Sequence, residues 1–245
     1  MFERVKIGPA TLYLGDCRDI LDSISADVMV TDPPYGVNFT GSSTKHGKDV
    51  ANGYASFDDT SENIQNIIVP LFVSALAKVK RAAVTPGIRC HRMYPTPDGE
   101  GVIWYPSGAN SGPWGFVTHQ PILYYGKCPF LARSLGSRPS GFQSVESARP
   151  NGHPCPKPIG QIKWIVDRVS ILGETVLDPF MGSGTTGVAC VEMDRKFIGI
   201  EREPKYFDIA CKRIAHAVEQ SKQRLFEPEP EPQPLTPSLG MDADG

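Results

Sequence analysis

The segment TVLDPFMGSGTTGVACVEMDRKFIGIE at 175–201 constrains this chain more than any other. It reads as a strand, a glycine turn, a helix and a second strand, and such a unit needs a parallel sheet around it. Gly182, Gly184 and Gly187 fit the spacing G-x-G-x-x-G, and Glu201 ends the second strand. Glycines at these places permit a tight turn and close approach of a ligand to the backbone, while the helix start offers unpaired N–H groups. An acid at the end of the second strand suits the two ribose hydroxyls of an adenosine-type ligand. Glycine turns of this kind also arise from packing alone; the strand, loop, helix and strand in sequence favour a nucleoside cofactor. Asp178, Pro179 and Phe180 precede the glycines. A carboxylate there repels a pyrophosphate and attracts a cation. S-adenosylmethionine, with its sulfonium and ammonium groups, therefore fits better than a dinucleotide.

The rest of the 245 residues repeats this alternation. TLYLGDCRDIL predicts a short strand turning into a helix, ADVMVTDPPYG a buried strand stopped by Asp32 and two prolines, and RAAVTP another strand. Helices are predicted over 62–80, from about Pro158 to Ser170, from the glycine turn to about Glu192, and over 204–224. Residues 88–115 are broken by proline and glycine, WGFVTHQPILYYGK contains a strand, and the Gly/Ser/Asn/Asp-rich stretch 39–61 is long for a loop. The expected fold is α/β and Rossmann-like, a mostly parallel twisted sheet flanked by helices. No apolar run approaches a membrane span. The charged start MFERVKIGPA lacks the apolar core of a secretion signal, and six scattered cysteines form no C-x-x-C pair. Reduced thiols, a cytoplasmic location, no membrane partner and no metal site are expected.

Asp32-Pro33-Pro34-Tyr35 ends a predicted buried strand, at the edge where open α/β sheets bind ligands. Each residue before a proline is pushed into extended geometry, and the prolines keep their carbonyls while losing their N–H groups. The result is a stiff edge with a carboxylate, carbonyl acceptors and an aromatic ring. Such an edge suits an –NH₂ group on a planar ring. The amine of adenine or cytosine is a poor nucleophile because its lone pair is delocalised. Asp32 and a backbone carbonyl can hold its hydrogens, and Tyr35 can stack on the base, an interaction worth about 1–3 kcal/mol. A Pro-Pro turn that merely stops strand pairing is the plainer alternative. Asp ahead, Tyr behind and a cofactor-type loop elsewhere favour a functional edge.

On these motifs the chain resembles the amino-group DNA methyltransferases that use S-adenosylmethionine, in the arrangement whose catalytic motif precedes the cofactor motif. DPPYG at 32–36 is similar to the catalytic motif, LDPFMGSGTT at 177–186 to the cofactor loop, and HPCPKP at 153–158 to the His-Pro-x-x-Lys-Pro element. GDCRDIL at 15–21 resembles the stretch whose acid contacts adenosine, here Asp16. The resemblance implies catalysis by Asp32, Pro33, Pro34 and Tyr35 on a base flipped out of the duplex. It implies cofactor contacts from Asp16, His153, Lys157, Asp178, Pro179, Phe180, Gly182, Gly184 and Glu201. Asp at the first catalytic position implies adenine N6 rather than cytosine N4, as a statistical preference.

The resemblance also implies a target-recognition segment, here the short stretch 128–152 with Arg133, Arg138 and Arg149. That stretch lies in the basic block 80–168, which holds 11 bases and 4 acids although the whole chain has a net charge of −2. A block like this is either ordinary solvated surface or a face for a polyanion; the resemblance makes it a DNA face. So short a segment suggests that recognition is shared with the 39–61 loop or a second subunit, as in a homodimer. Residues 1–226 are expected to form the catalytic domain. Residues 227–245, with five acids and five prolines, are expected to be a disordered tail. Cytosine or RNA as substrate, a dinucleotide-dependent oxidoreductase and a catalytically silent DNA-binding subunit remain alternatives. Cys90-His91 has no matching ligand pair, nothing near Cys155 suggests a nucleophile, and packing is the plain expectation for Trp104, Asn110 and Trp114. Of Tyr124 and Tyr125, alternation buries one and exposes the other.

Overall fold

A computed structural model describes residues 2–37, 57–106, 110–112, 114–146, 151 and 156–226. The strands are β1 (Glu3–Ile7), β2 (Ala10–Leu14), β3 (Val28–Thr31), β4 (Arg81–Val84), β5 (Gly99–Trp104), β6 (Asn110–Gly112), β7 (Gly115–Val117), β8 (His119–Tyr125), β9 (Gly141–Gln143), β10 (Thr175–Asp178) and β11 (Lys196–Glu201). Nine of them form one sheet in the order β1-β2-β11-β10-β3-β4-β8-β5-β9. From β2 to β4 every pairing is parallel; β1–β2, β4–β8 and β5–β8 are antiparallel. Strands β6 and β7 pair as a separate antiparallel hairpin.

The helices are α1 (Cys17–Ile20), α2 (Ser61–Asn63), α3 (Val69–Leu76), α4 (Gly87–Cys90), α5 (Ile159–Val169), α6 (Thr185–Glu192) and α7 (Pro204–Phe226), with a π-helical stretch, Ile64–Ile68, between α2 and α3. Two apolar clusters cover the two sheet faces. Val28, Val30 and Val176 face Ile162, Ala189 and Ile214 from α5, α6 and α7. Met29 and Leu177 face Ile20, Ile64 and Phe72 on the other side. All four residues of β3 are buried, as expected of a central parallel strand.

The mostly parallel sheet and its predicted helices stand. Three strands of this sheet, and β6 of the hairpin, lie where none was expected. β1 reads as charged because it is an edge strand, and β5 and β9 carry glycines that mask their pairing. Tyr124 and Tyr125 also depart from expectation. Tyr125 is buried and Tyr124 packs against the opposite cluster, so neither is exposed, because helices cover both faces of the sheet. Residues 38–56 and 227–245, which carry most of the expected long loop and the expected tail, lie outside the described residues. Among the described residues no helix is long and apolar enough to cross a membrane.

Candidate active site

Five parallel strands end at one edge, and each leads into a polar residue there. Asp16 follows β2, Glu201 ends β11, Asp178 ends β10, Asp32 follows β3 and Thr85 follows β4. This is the edge at which open sheets hold ligands. A single cavity runs along it, lined by Asp16, Glu201, Gly182, Phe180, Lys157 and Asp32. Pro34, Pro179 and Gly182 to Ser183 complete its floor.

At the cofactor end, Gly182 and Gly184 have φ of 50° and 76°, a left-handed geometry that glycine adopts without strain. The Gly182 N–H donates to Glu201 Oε2 at 2.9 Å, and the Glu203 N–H donates to Oε1 at 2.8 Å. Burial outweighs these donors and pushes the Glu201 carboxyl up to about 7. A desolvated carboxylate on a cavity wall calls for further donors, and vicinal hydroxyls supply them. Asp16 caps α1 by accepting from the Arg18 N–H, and its two oxygens also accept from the Arg18 guanidinium at 2.9 and 2.6 Å. That pairing holds the Asp16 carboxyl below the usual range. Phe57 and Ile67 add an apolar wall, with Arg202 over the Phe57 ring. Acceptors for hydroxyls, a flat apolar slot and carboxylates for a cation fit the donor set of S-adenosylmethionine.

Asp178, expected at the cofactor, lines the same cavity. It is 2% exposed and accepts from the Thr31 and Thr186 hydroxyls, both at 2.7 Å, and from the Phe180 N–H at 3.1 Å. Burial raises it to about 6. Its oxygens tie β3, β10 and α6 together at the cavity wall, so its carboxylate also shapes the loop. Gly187, the third glycine of the pattern, serves packing: a Cβ there would meet Ile214 and Phe197.

At the other end, Asp32 accepts from the hydroxyls of Tyr35 and Thr85 on Oδ1 and pairs with Lys157 Nζ on Oδ2 at 2.6 Å. Lys157 Nζ also donates to the Tyr35 hydroxyl at 2.7 Å and lies 4.5 Å from the centre of its ring. Lys157, expected at the cofactor, lines the cavity and is also bound to the catalytic turn. The Tyr35 hydroxyl accepts from Gln120 as well. The backbone after Pro34 is clamped: Asp59 accepts from the Gly36 and Val37 N–H groups at 2.7 and 3.2 Å, and the Cys90 thiol donates to the Tyr35 carbonyl at 3.1 Å. Gly87, at φ 71°, lets the Tyr35 ring pass where any Cβ would collide. Cys90 therefore braces the catalytic turn.

Thr85, Asp59, Gln120 and Arg213 escaped the sequence reading. Arg213 reaches from α7 to the Ser183 carbonyl at 2.6 Å and holds the glycine turn from behind. Only Gln120 carried a signal, as a polar residue in the apolar run QPILYY. Among the expected DNA contacts, Arg133 is exposed on a turn, whereas Arg138 pairs with Asp167 at 2.6 Å and stacks over Phe130. Arg149 and His153 lie outside the described residues. Trp114 does not pack. It is fully exposed with Phe116 on the β6–β7 hairpin, whose arms lead to Tyr105 and Gln120.

An α/β sheet with an acid-lined cavity along the ends of its parallel strands is the Rossmann-like scaffold of methyltransferases. Residues 78–212 match the DNA methylase family N6_N4_Mtase, and the chain belongs to that family. It is 43% identical over 61 residues to the type II methyltransferase M2.MboI of Moraxella bovis, covering 25% of this chain and 22% of that protein. It is 57% identical over 42 residues to M.Cfr9I of Citrobacter freundii, covering 17% and 14%. The alignments thus span less than a quarter of either relative. Solved structures share the fold. M1.HpyAVI has a TM-score of 0.58 at 21% identity, covering 84% of this chain and 98% of its own. The cytosine-N4-specific PvuII DNA methyltransferase has 0.60 at 17%, covering 90% and 93%.

Proposed function

We propose that the chain transfers a methyl group from S-adenosylmethionine to the exocyclic N6 of adenine in DNA, with the base flipped out of the duplex. The carrying observation is that Asp32 and Glu201, from motifs at opposite ends of the chain, line one cavity. A crystal structure of an M1.HpyAVI–SAM complex, with a TM-score of 0.57 to this chain, supports the cofactor reading. In this reading Glu201 and Asp16 hold the adenosine hydroxyls, Gly182 brings backbone close to the ligand, and Phe57 and Phe180 flank its flat ring. When bound, the cofactor supplies a methyl group activated by a positively charged sulfur. The chain's own residues do the rest by positioning. Asp32 Oδ2 and the Pro33 carbonyl accept the two amine hydrogens, which turns the nitrogen lone pair toward the methyl group. The Tyr35 ring stacks on the base.

The motif order, catalytic before cofactor, supports a β-type arrangement, in which residues 128–152 serve as target-recognition segment and 227–245 as a dispensable tail. Arg133 meets a DNA phosphate, and the exposed Trp114 and Phe116 meet the duplex. Recognition shared with a second subunit makes the working form a homodimer. The adenine assignment rests on Asp32 at the first catalytic position. Purified protein, labelled S-adenosylmethionine and unmethylated duplex, followed by mass analysis of the digested nucleosides, tests the proposal. N6-methyladenine is expected. N4-methylcytosine overturns the base and keeps the mechanism, and no product despite cofactor binding overturns the DNA activity of the lone chain.

A further inference from the structure

Behind the Tyr35 hydroxyl lies a line of polar side chains that the catalytic motif does not contain. Gln120, on β8 and 8% exposed, donates from Nε2 to the Tyr35 hydroxyl. The Tyr105 hydroxyl stands 3.0 Å from Gln120 Oε1 and 3.1 Å from Gln161 Oε1. Gln161, in the first turn of α5, is 1% exposed, and its Nε2 has no hydrogen-bond partner. Tyr105 and Gln120 sit on the two arms that flank the β6–β7 hairpin, closed by the Tyr105 N–H donating to the Thr118 carbonyl at 2.7 Å.

The hydrogen count sets the direction of this line. A phenol carries one proton, so Tyr105 cannot donate to two amide oxygens at once. The two ends of a glutamine amide are interchangeable in shape, and the network decides which is which. Turning the Gln161 amide over gives its N–H a partner and removes the doubled donation. Gln161 then donates to Tyr105, Tyr105 to Gln120 Oε1, and Gln120 Nε2 to Tyr35. The Tyr35 oxygen accepts from Gln120 and from Lys157, which fills both its lone pairs. Its own proton has one direction left, toward Asp32 Oδ1. Asp32 receives that bond, one from Thr85 and one from Lys157, so three of about four acceptor positions of a carboxylate are filled. The remaining one is on Oδ2.

We infer that Gln120, Tyr105 and Gln161 are positioning residues for the transfer reaction: a one-way hydrogen-bond line that points the Tyr35 proton at Asp32 Oδ1 and leaves Asp32 Oδ2 an acceptor for the substrate amine. The inference rests on the methyl-transfer reading above and deepens it.

The test is a double-mutant cycle in single-turnover methylation, with Gln120→Leu, Tyr35→Phe and the double variant. Gln120→Leu is expected to lower the rate constant about tenfold with cofactor Kd unchanged, and to add less than about twofold once Tyr35→Phe has removed the hydroxyl. Tyr105→Phe, which keeps the ring and hence the packing, is expected to lose about threefold in the same non-additive way. Gln120→Glu, which still accepts from Tyr105 but cannot donate to Tyr35, is expected to lose as much as Gln120→Leu. Equal losses in both backgrounds overturn the inference, and so does an unchanged rate in Gln120→Leu. A second readout needs no turnover. The ¹³Cζ shift and titration of Tyr35 are followed in folded protein with labelled tyrosine, and loss of the Gln120 donor must raise the Tyr35 phenol pKa. A Tyr35 signal indifferent to Gln120 and Tyr105 sinks the line even if the protein methylates nothing. A shifted signal in an inactive protein keeps the line and fails the methyl-transfer reading instead.

Discussion

Two Asp-Pro turns leave neighbouring strands of this sheet, and they are held in opposite ways. Asp178-Pro179-Phe180 follows β10 and Asp32-Pro33-Pro34-Tyr35 follows β3, with the Thr31 hydroxyl bonded to Asp178 between them. Asp178 is 2% exposed on the cavity wall, and its donors come from the strand beside it, the loop it begins and the helix that loop enters. Asp32 keeps 20% of its side chain exposed and is held by Thr85 and Lys157, from β4 and the approach to α5. A buried carboxylate satisfied by hydroxyls and N–H groups stabilises a shape. A half-exposed one fixed by remote donors retains an acceptor for something else. The same dipeptide thus builds a loop in one place and a reactive edge in the other, and burial decides which.

The sharpest way to break the comparison is Asp32→Ala. Turnover is expected to fall by about a thousandfold or more, while binding of labelled S-adenosylmethionine stays within about twofold; preserved turnover would remove Asp32 from its role. Asp178→Ala comes next, with the opposite signature. Orphaning the Thr31 and Thr186 hydroxyls is expected to cost about 2–3 kcal/mol of stability, read as a lower Tm in a thermal melt. A variant as stable as the parent but unable to bind cofactor would make Asp178 a direct ligand and erase the distinction.

pH sharpens the cofactor side. Burial raises Glu201 from 4.5 to about 7, so the folded chain holds this proton more tightly than the unfolded chain does. The stability linked to it is fully present below about 4.5 and is lost as pH rises toward about 7. Cofactor binding runs the other way, because ribose hydroxyls donate to the ionised carboxylate. Titration calorimetry at pH 6 and pH 8 should show tighter binding at pH 8, by up to about tenfold, and Glu201→Gln should flatten the difference. A pH-independent affinity in the parent would place the adenosine elsewhere. The smallest effects come from a matched pair. Thr85→Val should lower the methylation rate a few fold with Tm nearly unchanged. Thr186→Val should lower stability by about 1 kcal/mol with the rate nearly unchanged. Swapped outcomes would invert the comparison.

Much of this was legible in the sequence, for a physical reason. β3, β10 and β11 are short apolar runs that end abruptly on an acid or a proline, so both the strands and their reactive ends announce themselves in a few residues. The edge strands do not. β1 alternates charge with apolar residues because one side meets water, and β9 is three residues long and begins with glycine. Within the site, sequence motifs located Asp32, Tyr35 and Glu201 but not their supports. Thr85, Asp59, Gln120 and Gln161 are ordinary polar residues far away in the chain, and only folding brings them within hydrogen-bonding distance. The hydroxyl partners of Asp178 were hidden for a related reason: a carboxylate at a strand end looks the same on paper whether or not two threonine hydroxyls meet it.

The bond between Thr31 and Asp178 spans 147 positions of sequence, and this has a consequence for synthesis. Ribosomes add roughly 5–20 residues per second, so β3 leaves the ribosome on the order of ten seconds before the strand that must lie beside it exists. β4 can cover one flank early, but the other flank of Val28–Thr31 stays open until β10 emerges. Through that interval the nascent chain carries an apolar strand with an unpaired edge, the kind of segment that chaperones bind and that aggregates when they do not.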